Sequence, residues 1–113
     1  MRQVKAIIRS EMLSAVREAL EQSGCYQGVT ITDVMGHGAQ KGITQAWRGE
    51  KYRIELLPKV MIDLVVKNEE VDKVKQVIID SARTGEIGDG KIFVYDVVEV
   101  IRIRTGEVDY DAI

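Results

Sequence analysis

Cysteine is almost absent from the sequence. Among 113 residues there is a single cysteine, Cys25, so no disulfide can form within the chain. This fits a reducing compartment. No second cysteine or nearby histidine supports activation of the thiol, and we therefore interpret Cys25 as a small buried group rather than a reactive one.

Long hydrophobic runs are also missing. The first nine residues, Met1–Arg9, contain no apolar stretch long enough for a signal peptide. The longest apolar runs elsewhere extend over only a few residues, which is too short to span a membrane. We expect a soluble, cytoplasmic protein.

The chain has little net charge. Its 16 basic and 18 acidic residues leave a formal charge of −2, which excludes an electrostatic grip on nucleic acid by the whole surface. A chain of 113 residues forms at most one domain, here residues 1–113, and is too small for a deep internal pocket. A nucleotide-sized ligand would need a surface cleft or a subunit boundary, with a local basic cluster.

Histidine is represented once, by His37. No group of histidine, cysteine and carboxylate residues has the spacing of metal ligands, and no nucleophile–base pair stands out. A lone histidine can be a phosphorylated nucleophile, as in nucleoside diphosphate kinases. No acid is placed by sequence to orient it, which favours an exposed loop residue.

The first part of the chain has the order β-α-β. Val4–Arg9 and the alternating stretch Val29–Met35 predict two strands. Ser10 is expected to cap the helix between them, and Gly24 to end it. Its apolar positions recur at helical spacing: Leu13, Val16 and Leu20.

The same order then repeats. Lys59–Val66 predicts a strand, Asn68 a helix cap, Thr84-Gly85 the end of that helix, and Ile92–Arg104 a further strand. The helix has apolar residues at Val71, Val74, Val77 and Ile78. The duplication predicts an α+β fold, ferredoxin-like, in which an antiparallel sheet carries both helices on one face.

The stretch between the halves, Gly36–Leu57, has no clear periodicity. It contains four basic residues and two large aromatic residues, Trp47 and Tyr52. A connector of this length is usually functional or mobile. Two interpretations are open: a β-hairpin that extends from the sheet edge, and a protruding loop (about residues 37–55) that reaches a partner.

Three clusters could bind an anion. In the first, Thr84–Phe93, three glycines allow backbone amides to approach a ligand, and Lys91 follows them with a positive charge, although Gly-Asp-Gly is also an ordinary turn. In the second, Arg102 and Arg104 would share one face of a strand and suit a di- or triphosphate; an edge strand with protective charges is the alternative. The third, Gly36–Gly42, resembles a backbone anion nest, with Gln40 and Lys41 as polar contacts.

These segments together resemble the P-II family of nitrogen regulatory signal-transduction proteins. The resemblance extends over nearly the whole chain and is most specific in Ala82–Val94. It also includes Lys5–Arg9, Gly36–Gly42, Leu57–Val60 and Ile101–Glu107.

The resemblance implies a non-enzymatic homotrimer with nucleotide clefts between subunits. ATP and ADP would compete there, and 2-oxoglutarate would join Mg²⁺-ATP near the base of the long loop. The loop would dock on a protein partner, such as an ammonium transporter or a nitrogen-metabolism enzyme. Recruitment to the membrane would then occur through the transporter.

The resemblance also implies roles for individual residues. Lys91, Arg102 and Arg104 would hold the phosphates, with Thr30 and Val65 on the nucleoside side. The rest of the nucleotide site would be Gly38, Gln40, Gly88, Asp89 and Gly90. Gln40 would bridge Mg²⁺ and 2-oxoglutarate, whose other contacts would be Lys41, Lys59 and Gly88. Trp47, Arg48 and Gly49 would meet the partner, and Tyr52 matches a tyrosine that some members have uridylylated.

Several positions depart from the family pattern. Ala39 stands where an arginine often touches the phosphates, so ATP/ADP discrimination is expected to differ. In the loop, Trp47, Glu50 and Lys51 replace the common residues, which weakens the case for uridylylation and for the usual transporter. Two alternative functions stay open: a phosphotransferase that uses His37, and a structural trimer without nucleotide binding.

Overall fold

A computed structural model describes residues 1–25, 27–37, 43–47, 50–54 and 56–113, and within 43–47 and 50–54 the description covers the backbone. The main elements follow the predicted order. They are strands β1 (Arg2–Arg9), β2 (Thr30–Gly36), β3 (Ile43–Trp47), β4 (Glu50–Ile54), β5 (Leu57–Val66) and β6 (Lys91–Asp96), and helices α1 (Leu13–Gln22) and α2 (Val71–Ala82).

Four strands form one antiparallel sheet in the order β2-β5-β1-β6. In the register, Arg9 of β1 lies opposite Lys59 of β5, and Ile7 lies between Met61 and Lys91. Because β1 and β2 both run antiparallel to β5, they are parallel to each other with β5 between them. The α+β, ferredoxin-like prediction is confirmed.

Both helices cover one face of this sheet. Every second residue of the two central strands is buried against them, as the alternation of side chains along a strand requires. The core contains Val4, Ala6, Ile8, Val60, Ile62, Leu64 and Val66 from the strands, and Val16, Leu20, Val71, Val74, Ile78 and Ala82 from the helices. Cys25 is buried in the same cluster, which confirms its interpretation as a packed thiol.

The helix ends differ in part from the prediction. Neither Ser10 nor Asn68 caps a helix through its side chain; each begins a short 3₁₀ turn that leads into the α-helix. The Asn68 side chain instead accepts a hydrogen bond from the amino terminus at 2.8 Å. Gly24 follows the end of α1 with φ at +77°, a conformation that glycine adopts without steric cost, so its role is confirmed.

The final strand is shorter than predicted. The stretch Ile92–Arg104 reads as one strand in sequence, but β6 ends at Asp96. Beyond it, Ile101 forms an isolated antiparallel bridge with Val108, and a turn lies between them. The prediction of a continuous strand was wrong because β-branched residues indicate an extended backbone, whereas strand pairing also requires a neighbour.

Within Gly36–Leu57, β3 and β4 pair as an antiparallel hairpin from Ile43 opposite Ile54 to Trp47 opposite Glu50. The hairpin interpretation is therefore confirmed for the described backbone, and partner contact stays a prediction. None of the helices in the described part of the chain is both long and apolar enough to cross a membrane.

Candidate functional site

A glycine-rich loop, Thr84–Lys91, joins α2 to β6. Gly85, Gly88 and Gly90 have φ values of +90°, +105° and +98°, which L-residues rarely adopt. At Gly90 there is also no room for a side chain, since a Cβ would lie 1.7 Å from the carbonyl oxygen of Ile7. The glycines predicted to let backbone approach a ligand also let the loop pass close to β1.

The Asp89 carboxylate closes this loop on itself. Its Oδ2 accepts hydrogen bonds from the backbone N–H groups of Thr84 and Gly85 at 2.8 and 2.9 Å. Its Oδ1 accepts from the Thr84 hydroxyl and from Arg9 Nε, the latter at 3.0 Å. The Thr84 hydroxyl bond, followed by the backbone N–H bonds and the Arg9 bond, holds the pKa of Asp89 well below its ordinary value.

Two cations from neighbouring strands hold the loop carbonyls. Arg9 Nη2 donates to the Ile87 carbonyl at 2.7 Å, and Lys59 Nζ donates to the Gly88 carbonyl at 2.6 Å. Lys59 is only 7% exposed, and this burial, followed by the nearby Arg9 charge, lowers the pKa of its ammonium. Opposite positions in the sheet therefore place two positive charges beneath one loop.

One cavity, of about 280 Å³, borders this loop. It lies on the helix side of the sheet, between the end of α2 and the start of β6. Asp89, Gly90 and Lys91 line it, together with Arg83 and an apolar floor that includes Ile8 and Ile78. Lys91, the predicted phosphate lysine, is exposed, and its position opposite Ile7 places it on the other face of the sheet.

A second, wider cleft of about 610 Å³ contains the predicted nucleoside contacts. Thr30 and Val65 line it, and so does Arg102. Asp63 lies opposite Thr30 in the sheet and lines the same cleft. Further lining residues are Gln3, Gln27, Gly28 and the C-terminal Ile113.

These two groups of predicted residues do not meet within one chain. The first cavity borders Ile8 and the second borders Gln3, five positions apart on β1. At the rise of a strand this separation is roughly 17 Å. Lys91 lies opposite Ile7, and Ile7 and Gln3 share one face of β1, so Lys91 and the second cleft are separated along the strand and not by the sheet.

Contrary to the prediction from sequence, Arg102 and Arg104 do not lie on one face of a strand. Arg102 and Arg104 lie beyond β6, so strand alternation does not place them on one face. Arg102 forms a 3.0 Å ion pair with Glu107, and its backbone N–H donates to the Glu107 carbonyl at 2.8 Å. Arg104 is exposed. The hairpin held by these bonds presents both arginines near the C-terminus.

Several predicted site residues lie outside the described residues: Gly38, Gln40, Lys41, Arg48 and Gly49. For Trp47 and Tyr52 the description covers the backbone, in β3 and β4. His37 is exposed, as expected of a loop residue. No cluster of three or more potential metal ligands occurs in the described ranges.

Sequence reasoning missed Arg9 and Thr84 as parts of the site. Arg9 reads as the last residue of a strand, and its partner Asp89 is 80 positions away, so no local pattern links them. Thr84 carried a weak signal: a threonine before glycine, with an aspartate five positions on, is typical of a turn closed by side chains.

Comparison with known proteins places this geometry in a family. The family model described as nitrogen regulatory protein P-II matches residues 1–107. Nitrogen regulatory protein P-II 2 of Methanothermobacter thermautotrophicus is 56% identical over 107 residues, which cover 95% of this chain and 92% of that protein. Nitrogen regulatory protein P-II 1 of Escherichia coli (strain K12) is 52% identical, and nitrogen regulatory protein P-II of Pasteurella multocida is 51% identical, each over the full length of both chains. All three are named as regulatory proteins, not enzymes, and this chain belongs to the P-II family of nitrogen regulatory proteins.

Proposed function

We propose that the protein senses cellular energy and carbon–nitrogen status by binding ATP or ADP, with 2-oxoglutarate joining Mg²⁺-ATP. The observation that carries this proposal is the Thr84–Lys91 loop. It combines three glycines at positive φ with an exposed lysine at its end. Phosphate oxygens commonly accept hydrogen bonds from backbone N–H groups and from a lysine ammonium.

The separation of the two cavities supports a site between subunits. Within one chain, Lys91 borders the first cavity and Arg102 lines the second, roughly a strand length away. A second copy would bring its own Arg102 cleft to the Lys91 loop. A closed homotrimer would form three such sites and would bury part of the exposed sheet face.

A buried ammonium supports the oxoacid part of the proposal. Lys59 carries three N–H donors, one of which the Gly88 carbonyl accepts. Arg9 stands opposite it in the sheet, but the Arg9 charge is paired with Asp89 at 3.0 Å, which, among the described residues, leaves the Lys59 ammonium as the cation of the two without an ion pair. A carboxylate that pairs with Lys59 would lie against the phosphate loop.

The output would pass through the hairpin segment. We propose that it docks on a protein partner in the cytoplasm, an ammonium transporter or a nitrogen-metabolism enzyme, and that ligand state alters this contact. Trp47 and its loop neighbours would meet the partner, and Tyr52 would be the position open to modification.

Calorimetry tests the ligands. Titration of 2-oxoglutarate should show binding only when Mg²⁺-ATP is present, because the nucleotide completes the oxoacid site. Lys91→Ala should weaken ATP binding by about 1.5–3 kcal/mol, the contribution of a charge-assisted hydrogen bond. Lys73→Ala, which removes the same charge from an exposed position on α2, is the matched control and should bind ATP normally.

Absence of ATP and ADP binding by a folded protein would refute the proposal. Oxoacid binding that ignores the nucleotide would refute the coupling alone. Sedimentation equilibrium should give three times the 12.7 kDa chain mass, and a monomer that binds nucleotide would contradict the inter-subunit site.

A further inference from the structure

The carboxylate of Asp89 has no capacity left for a ligand. A carboxylate has about four acceptor positions, two on each oxygen. Thr84 N–H and Gly85 N–H occupy Oδ2, while the Thr84 hydroxyl and Arg9 Nε occupy Oδ1. A negative group in this position would also oppose an incoming phosphate if its charge were not neutralised. Asp89 therefore serves the loop and not the ligand directly.

The loop needs such an internal support. Gly85, Gly88 and Gly90 have more backbone freedom than other residues, and ordering them costs correspondingly more conformational entropy. The bonds to Asp89 close the start of the loop onto its end. Through Arg9 Nε the same carboxylate is tied to the last residue of β1, a rigid central strand.

We propose that Thr84 and Arg9 are positioning residues for the nucleotide site and act through the Asp89 carboxylate. This inference rests on the proposed function. Thr84 fixes the path of the loop that presents Gly88, Gly90 and Lys91. Arg9 neutralises the Asp89 charge beside Lys91 and anchors the loop to the sheet.

The expected effect on ATP affinity depends on the fraction of molecules in which the Thr84–Lys91 loop has the conformation that binds ATP. An apparent dissociation constant rises in inverse proportion to that fraction. Loss of the Thr84 hydroxyl removes its bond to Asp89 and also the bond that Thr84 Oγ1 accepts from Glu86 N–H at 3.1 Å. The bond to Asp89 is the one that closes the loop, and at about 0.5–1.5 kcal/mol for that one hydrogen bond we expect a two- to tenfold weaker affinity for ATP.

The experiment compares Thr84→Val with Thr84→Ser by calorimetry with Mg²⁺-ATP. Valine keeps the branched shape and loses the hydroxyl, whereas serine keeps the hydroxyl. Thr84→Val should bind ATP two- to tenfold more weakly, and Thr84→Ser should bind as the wild type does. Ser81→Ala, which removes a hydroxyl bond to the Val77 carbonyl within α2, is the matched control and should bind normally.

A second measurement needs no ligand. Hydrogen exchange of the Thr84 and Gly85 amides reports opening of the loop, because both amides donate to Asp89. Exchange should accelerate in Thr84→Val and in Asp89→Asn, in which an amide replaces one acceptor oxygen by a donor. Asp89→Asn also serves as the test variant if Thr84→Val does not fold.

The outcomes separate the two proposals. Wild-type binding of ATP with unchanged affinity in Thr84→Val would overturn the positioning role and leave the proposed function intact. Equal weakening in the valine and serine variants would also overturn it, because the hydroxyl would then be irrelevant. A folded wild type that binds no nucleotide would overturn the proposed function, and the positioning role with it, even if amide exchange accelerates as expected.

Discussion

Replacement of Gly90 by alanine should destabilise the fold by an amount that the structure allows us to separate into two parts. An L-residue at φ +98° carries a backbone cost of about 1–2 kcal/mol. The new Cβ would also lie 1.7 Å from the Ile7 carbonyl oxygen, where real Cβ atoms essentially never come under 3.0 Å. The two groups must separate by more than an ångström, which disturbs β1 and β6 next to the Ile7–Lys91 pair. Overpacking of this kind costs about 1–3 kcal/mol more.

Gly85→Ala is the matched control for Gly90→Ala. Gly85 has φ +90°, but no atom lies within 4 Å of a Cβ built on it, so this variant carries the backbone cost alone. Urea unfolding at equal protein concentration measures both variants. We expect Gly90→Ala to lose about 1–3 kcal/mol more of the free energy of unfolding than Gly85→Ala. Equal losses would show that the close approach to β1 does not constrain the loop.

Two further predictions concern the loop carboxylate and the core. The pKa of Asp89 is lower in the folded state than its ordinary value of 3.8. Ionisation of Asp89 therefore stabilises the fold at pH values above 3.8, and this stabilisation decreases as the pH falls below 3.8. The stability difference between wild type and Asp89→Asn, measured from urea midpoints, should be constant near pH 7 and shrink below about pH 4; a constant difference down to pH 3 would contradict the assignment. Leu20→Ala, at a fully buried position on α1, should reduce the free energy of unfolding by about 2–5 kcal/mol in the same assay, and a loss below 1 kcal/mol would contradict the packing described.

Much of the fold could be predicted from local patterns. The 4-residue spacing of Val16 and Leu20 and of Val74 and Ile78 is a property of the helices themselves, and all four residues are buried. The end of β6 could not be predicted in this way. Pairing depends on a neighbouring strand, and β1 begins at Arg2, opposite Asp96, so the pairing ends with the bond from Val97 N–H to the Met1 carbonyl.

For the candidate site, the sequence suggests residue types but not the contacts between them. Lys59, Asp89 and Lys91 were named from the sequence, but the bonds from Lys59 to Gly88 and from Arg9 to Asp89 link positions 29 and 80 residues apart. Contacts of this range follow from the sheet register, which sequence spacing does not encode. Arg102 and Glu107 are only five positions apart, but their ion pair depends on a turn that strand alternation does not predict.

The order of strands in the sheet has a consequence for how the chain reaches its fold. β1 pairs with β5 and β6, and β2 pairs with β5 alone. The two strands that are synthesised first are therefore not neighbours, and the place between them is filled only when Leu57–Val66 arrives. In the main sheet, all paired strands are far apart in sequence, so each pairing must close a long loop of chain. Such non-local contacts slow folding relative to a helical bundle of equal length, and they make the arrival of β5 the step on which assembly of the sheet depends.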